Sequence, residues 1–111
     1  MKFTVKKSEW NRAHLFGLSF LLNNSGKKCC LGFVGQQCGI NDLLLVDYSY
    51  PIAANKAWPE WFWNVIDYNS DAKHAYLHLA EINDSISSDE EKELKIKEIF
   101  AKFNDEIVFK D

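Results

Sequence analysis

The chain has 111 residues, enough for one domain and no more, and its 13 basic and 16 acidic side chains give a net charge of -3. That balance argues against general nucleic-acid binding, which wants a basic face. A hydrophobic content of 47% with 14% aromatics excludes a disordered chain, and eight Phe and four Trp can build a core without disulfides.

No stretch approaches the roughly 18 apolar residues of a membrane span, and Met1 to Lys7 lacks the apolar run of a signal peptide. Cys29, Cys30 and Cys38 are odd in number and include an adjacent pair, a poor disulfide framework. Reduced thiols in a cytoplasm are expected. Lys6, Lys7, Lys27 and Lys28 fall in the first quarter, where a solvated rim is favoured over a basic patch for a partner.

In chain order, Phe3 and Val5 alternate with polar neighbours and predict a strand over 2–7. Ser8 to Leu22 is ambiguous. Leu15, Leu18, Leu21 and Leu22 have helical spacing, Gly17 weakens it, and a strand over Leu18–Leu22 competes. Asn23-Asn24-Ser25-Gly26 is a turn. Cys30, Leu31, Val34 and Cys38 predict a buried helix that Gly39 ends as C′ residue. Gly32 and Gly35 each cost that helix about 1 kcal/mol relative to Ala, so a neighbouring element should approach closely there.

Ile40 to Ala57 reads as a connecting region, with Leu43-Leu44-Leu45-Val46 as a short buried strand or one helical turn before Pro51. Pro59 suits the first turn of a short helix reaching about Tyr68. Asn69-Ser70-Asp71 then offers caps to a helix over Ala72–Asn83, with Ala72, Ala75, Tyr76, Leu79, Ala80 and Asn83 on its buried stripe.

The clearest element begins at Ser88, where Ser88 and Glu91 make a capping box and Asp89 and Glu90 sit in the first turn. Ile96, Ile99, Phe100 and Phe103 form its buried face. Glu91–Lys95, Glu93–Lys97 and Glu98–Lys102 are spaced as i,i+4 pairs. Asn104-Asp105 turns the chain into a strand over Glu106–Lys110. The expected architecture is α+β: one small domain with several helices packed on a small antiparallel sheet that includes the N- and C-terminal strands.

Three constellations bear on chemistry. Cys29 and Cys30, in the first turn of a helix beside Lys27 and Lys28, have the setting that lowers a thiol pKa, and His78 or His14 would be the companion base. The bland alternative is a small apolar core residue. Asp71, His74, His78 and Glu81 would lie along one polar helix face, where a His pair at i,i+4 can chelate zinc but more often is merely solvated. Trp58, Trp61, Phe62 and Trp63 with Tyr68 would mark a binding surface if exposed, since Trp is enriched at interaction hot spots. Trp61 or Phe62 is expected inward, and Trp58 and Trp63 at least partly accessible.

Cys30-Leu31-Gly32-Phe33-Val34 resembles, over five residues, the nucleophile motif of the NlpC/P60 cysteine peptidases. In that family the Cys opens a helix and a His arrives from a later strand, whereas His74 and His78 here read as helical. Two larger blocks are similar to a family of small uncharacterised phage and prophage proteins. One is Ser25-Gly26-Lys27-Lys28-Cys29-Cys30-Leu31-Gly32-Phe33 with Cys38-Gly39. The other runs from Ala80-Glu81-Ile82-Asn83-Asp84 through Ser88-Asp89-Glu90-Glu91 and Ile99-Phe100-Ala101 to Ile107-Val108-Phe109. The chain departs from the pattern at Lys28, where Met is expected, and in a longer aromatic insert at Trp58–Trp63.

The resemblance implies a bacterial-host setting and no mechanism. With it, the leading expectation is a non-catalytic accessory protein that binds a host or phage protein through Trp58, Trp61, Trp63 and Tyr68. Inhibition of a host defence system, in the manner of an anti-CRISPR, is one form of that. The alternatives are a cysteine enzyme on Cys29 or Cys30 and a small metal-binding module on Asp71, His74, His78 and Glu81. No cofactor and no membrane partner are expected, and the oligomeric state stays open.

Overall fold

Alternation of apolar and polar residues makes β1, Lys2–Lys6, with Phe3 and Val5 wholly buried. The computed structural model describes residues 1–12, 19–52 and 55–111. After β1 come a short 3₁₀ turn at Lys7–Glu9, helix α1 at Cys30–Gln37, and 3₁₀ turns at Asp42–Leu44 and Glu60–Trp63. Strands β2 (Val65–Tyr68) and β3 (Asp71–His74), helices α2 (Ala75–Asn83) and α3 (Asp89–Lys102), and β4 (Glu106–Lys110) complete the chain. A radius of gyration of 12.7 Å is that of a compact chain of this length, about 13 Å for 100 residues.

The sheet differs from expectation. β1 and β4 do pair, but in parallel, with Phe3 beside Ile107 and Val5 beside Phe109. The reason lies in α3, which carries the chain back so that β4 sets off beside the start of β1, the Glu106 amide donating to the Met1 carbonyl across 2.9 Å. A helical return of this kind yields parallel strands. The antiparallel pair is elsewhere, as a separate hairpin of β2 and β3.

That hairpin overturns two expected helices. Helix formation after Pro59 stops at the single turn Glu60–Trp63, because β-branched Val65 and Ile66 open a strand. Asn69 and Ser70 do not cap a helix. Both have positive φ, 54° and 63°, as the two central residues of a type I′ hairpin turn require. Helix α2 therefore begins only at Ala75, and Ala72 is exposed on β3.

Other expectations hold. Helix α1 ends with Cys38 as cap and Gly39 at φ 85°. A Cβ on Gly32 would fall on the Leu21 carbonyl, and one on Gly35 would meet the Trp58 ring 2.6 Å away, so both glycines mark close approaches. The Ser88 hydroxyl accepts from the Glu91 amide at 3.2 Å, and Ile96, Ile99 and Phe100 are buried on α3. The expected helix-surface pairs are not ion pairs among the described residues; Glu93 instead meets Lys7 at 3.1 Å. Leu15, Gly17 and Leu18, which carry part of the helix-or-strand ambiguity, lie outside the described residues, as does His14. Leu22 makes an isolated bridge to Val46, and Leu43-Leu44 form a 3₁₀ turn with exposed side chains instead of a buried strand.

The core lies between the helices and the inner face of the β1–β4 pair. There Phe3 meets Phe100 edge-on at 5.8 Å, and α2 packs between α1 and α3, which in turn pack on β1 and β4. At the outer edge of β1 the Gln37 side chain closes the ladder. It accepts from the Thr4 amide at 2.8 Å and donates to the Thr4 carbonyl at 2.6 Å. Among the described residues no helix is long and apolar enough to cross a membrane.

Candidate functional site

Cys29 is the N-cap of α1 and Cys30 its first residue, as the spacing implied. Both side chains are nevertheless buried. Burial pushes the Cys29 thiol up to about 12 and the Cys30 thiol well above its ordinary value, the latter also through Cys29 beside it. Desolvation thus outweighs the helix terminus, and both remain protonated at neutral pH. The Cys30 sulfur faces the Leu79 carbonyl at 3.9 Å. His78 bonds the Ile66 carbonyl at 3.1 Å and His74 the Trp63 carbonyl at 2.8 Å. His74 does arrive on a strand, contrary to expectation, but its ring is tied to the 3₁₀ turn before it.

The metal constellation is taken apart by the hairpin. Asp71 and His74 belong to β3, while His78 and Glu81 belong to α2, so the four do not share a helix face. His78 is only 5% exposed, and Lys73 bridges Asp71 (2.9 Å) to Glu81 (2.5 Å), filling the space a cation would take. No three His, Cys, Asp or Glu side chains among the described residues converge to hold a metal.

Three of the four early lysines have acidic partners. Lys28 is buried, paired with Glu9 at 3.2 Å and lying over the Phe33 ring at 4.8 Å. Lys6 meets the same carboxylate at 3.3 Å. Lys6 and Lys28 thus share one carboxylate, and Lys27 is exposed.

The aromatic cluster separates into parts. Trp61 is structural. Its ring stacks on Phe103 at 4.5 Å, meets Phe100 edge-on at 5.0 Å, and donates from Nε1 to Asp105 at 2.8 Å. Phe62 is wholly buried, as expected of one of the pair. Tyr68 lines a polar cleft of about 270 Å³ with His78, Glu81 and Lys95, away from the tryptophans. Trp58, expected to be partly accessible, is 4% exposed because its ring lies over Gly35 and Leu45 fills the space beside it.

Trp58 is nonetheless the shared wall of two neighbouring cavities. One, of about 440 Å³, is lined by Asn55, Lys56, Trp58, Glu60 and Trp63. The other, of about 260 Å³, is lined by Leu44, Ile52, Asn55 and Trp58. Beside them the Asn41 side chain caps the Asp42–Leu44 turn by accepting from the Leu43 amide at 2.9 Å. The turn buries Leu45 and leaves Leu43 77% and Leu44 45% exposed. Ile52 and Tyr48 are exposed as well.

Sequence reasoning missed Leu43, Leu44, Tyr48 and Ile52 by treating 40–57 as a connection. A signal was present: Asn41-Asp42 is a cap followed by four apolar residues, and one short turn cannot bury them all. Three exposed leucine or isoleucine side chains beside a tryptophan-walled groove form an apolar patch of the kind that marks interaction sites. Compared with protein-family models, with curated proteins and with solved structures, the chain matches none of them.

Proposed function

We propose that the chain acts by binding another protein, through the apolar surface formed by Leu43, Leu44 and Ile52 around the Trp58 and Trp63 cavities. The observation that carries this is the exposure of Leu43 and Leu44 on a capped turn beside two grooves that share the Trp58 ring. A turn held by its own cap has no folding reason to present two leucines to water, whereas an apolar anchor and its pocket are what a partner engages. The thiols add support from the other side, since neither buried cysteine is prepared as a nucleophile. The likeness to phage and prophage proteins adds a setting: the partner is a host or phage protein, and restraint of a bacterial defence system is one use of such binding.

The test compares the tagged chain with its Leu43→Asp/Ile52→Asp variant in bacterial lysate. A stoichiometric protein retained by the first and lost by the second, with identical circular dichroism, is the expected result. A wild-type chain that retains nothing, or a variant that retains the same protein equally, would overturn the reading.

A further inference from the structure

We propose that the open edge of β4 pairs with β4 of a second copy of this chain, antiparallel, about a two-fold axis at Val108. In a strand the N–H and C=O of one residue share a side, and the side alternates along the chain. The Glu106 amide donates to Met1, and the register sets Phe3 beside Ile107. Glu106, Val108 and Lys110 therefore bond toward β1, and Ile107 and Phe109 aim their backbone groups outward. Among the described residues those outward groups meet no partner. A cavity of about 290 Å³, lined by Lys97 and Ala101 of α3 and by Asp105, Glu106, Ile107 and Val108, lies beside β4. Edges of this kind are usually blunted by Pro, a bulge, an inward charge or charged edge residues; Ile107-Val108-Phe109 has none of these, and the charges on β4 stand only at its ends, Glu106 and Lys110.

The charges select a second copy as occupant. With Val108 opposite Val108, Ile107 and Phe109 face each other twice as hydrogen-bonded pairs, giving four new backbone bonds. Glu106 then faces Lys110 at both ends. In the single chain Lys110 stands beside Lys6 in the ladder, a like-charge pairing that is unfavourable directly across strands. The second copy's Glu106 would supply the missing opposite charge. The contact uses none of the residues around Trp58 and stands or falls separately from that surface.

Sedimentation equilibrium of the whole chain at low ionic strength should show a monomer–dimer equilibrium that added salt weakens. E106K sets Lys against Lys110 and K110E sets Glu against Glu106; each should raise the dissociation constant about tenfold or more. The double variant E106K/K110E should recover the wild-type value, and an equimolar mixture of the two single variants should form a heterodimer. Both positions are exposed, and circular dichroism checks that the variants fold. In a Cys38→Ser background, Val108→Cys should oxidise to a disulfide-linked dimer, because a non-hydrogen-bonded antiparallel pair brings Cα atoms to about 4.5 Å. A chain that stays monomeric up to about 1 mM, a dimer indifferent to both charge reversals, or a Val108→Cys variant that does not cross-link would overturn the proposal.

Discussion

The indole N–H of Trp10 donates to the side-chain carbonyl of Asn83 across 2.6 Å, although 73 residues separate them. The same carbonyl accepts from the Cys30 amide at 3.0 Å, and the Asn83 amide group donates to the Asn11 carbonyl at 3.0 Å. Lys92, wholly buried, donates to the Asn83 backbone carbonyl at 2.9 Å. One wholly buried asparagine thus joins the segment after β1, the start of α1, the end of α2 and the first turns of α3. Asn83→Ala strands two buried donors, each costing about 1–3 kcal/mol, so a loss of about 3 kcal/mol or more is expected from urea unfolding. Trp10→Phe leaves the Cys30 bond in place and should cost less.

The buried thiols predict a labelling pattern. In the native chain iodoacetamide should leave Cys29 and Cys30 untouched near neutral pH and modify only the partly exposed Cys38, whereas all three should react in denaturant. Mass spectrometry of digested, labelled protein checks this. Rapid native alkylation of Cys30 would revive the nucleophile reading.

The same burial sets a pH dependence. The Cys29 thiol is held at about 12 when folded and lies near 8.5 when unfolded. Its contribution is fully present below about pH 8.5 and is lost as pH rises toward 12, because the unfolded chain releases the proton first. The urea midpoint should fall across that window, and Cys29→Ala should flatten the fall.

The hairpin turn predicts a stabilising substitution. Ser70 holds φ at 63°, which favours glycine. Ser70→Gly should therefore raise stability by about 0.5–1 kcal/mol, whereas Ser70→Val should lower it. If residues 69–71 capped a helix instead, the glycine would give no such gain, so thermal unfolding of the two variants also tests the local topology.

Gly32 and Gly35 predict unequal damage. Alanine at Gly32 meets a backbone carbonyl that cannot yield, while alanine at Gly35 meets the edge of the Trp58 ring and a Leu45 methyl. Gly32→Ala should cost about 3 kcal/mol or more, well beyond the roughly 1 kcal/mol that helix propensity returns. Gly35→Ala should cost less and shift the Trp58 fluorescence.

The parts of the fold legible beforehand were those in which local chemistry and tertiary packing agree. Ser88 capping α3, Gly39 ending α1 and the apolar alternation of β1 and β4 are of that kind. The direction of β4 was hidden because strand sequences carry no sense of polarity, and only the placement of α3 decides it. Asn69-Ser70 misled because the same residues cap helices and turn hairpins, and φ at both positions separates the two. His78 was read as lying on a solvated polar face, yet its ring is buried against the Ile66 carbonyl. Of the residues around the two cavities, Trp58 was expected to be accessible and is buried, and the leucines beside it were not singled out as exposed. Four consecutive apolar residues invite burial, and a 3₁₀ turn can hide only one.

Gln37 gives the small sheet a direction of growth. Its carboxamide stands in for a neighbouring strand at Thr4, so the middle of the β1 edge is already occupied. That directs a joining strand to β4, where two copies would consume each other's vacancy. Assembly by that route terminates as a closed pair and cannot propagate into a filament.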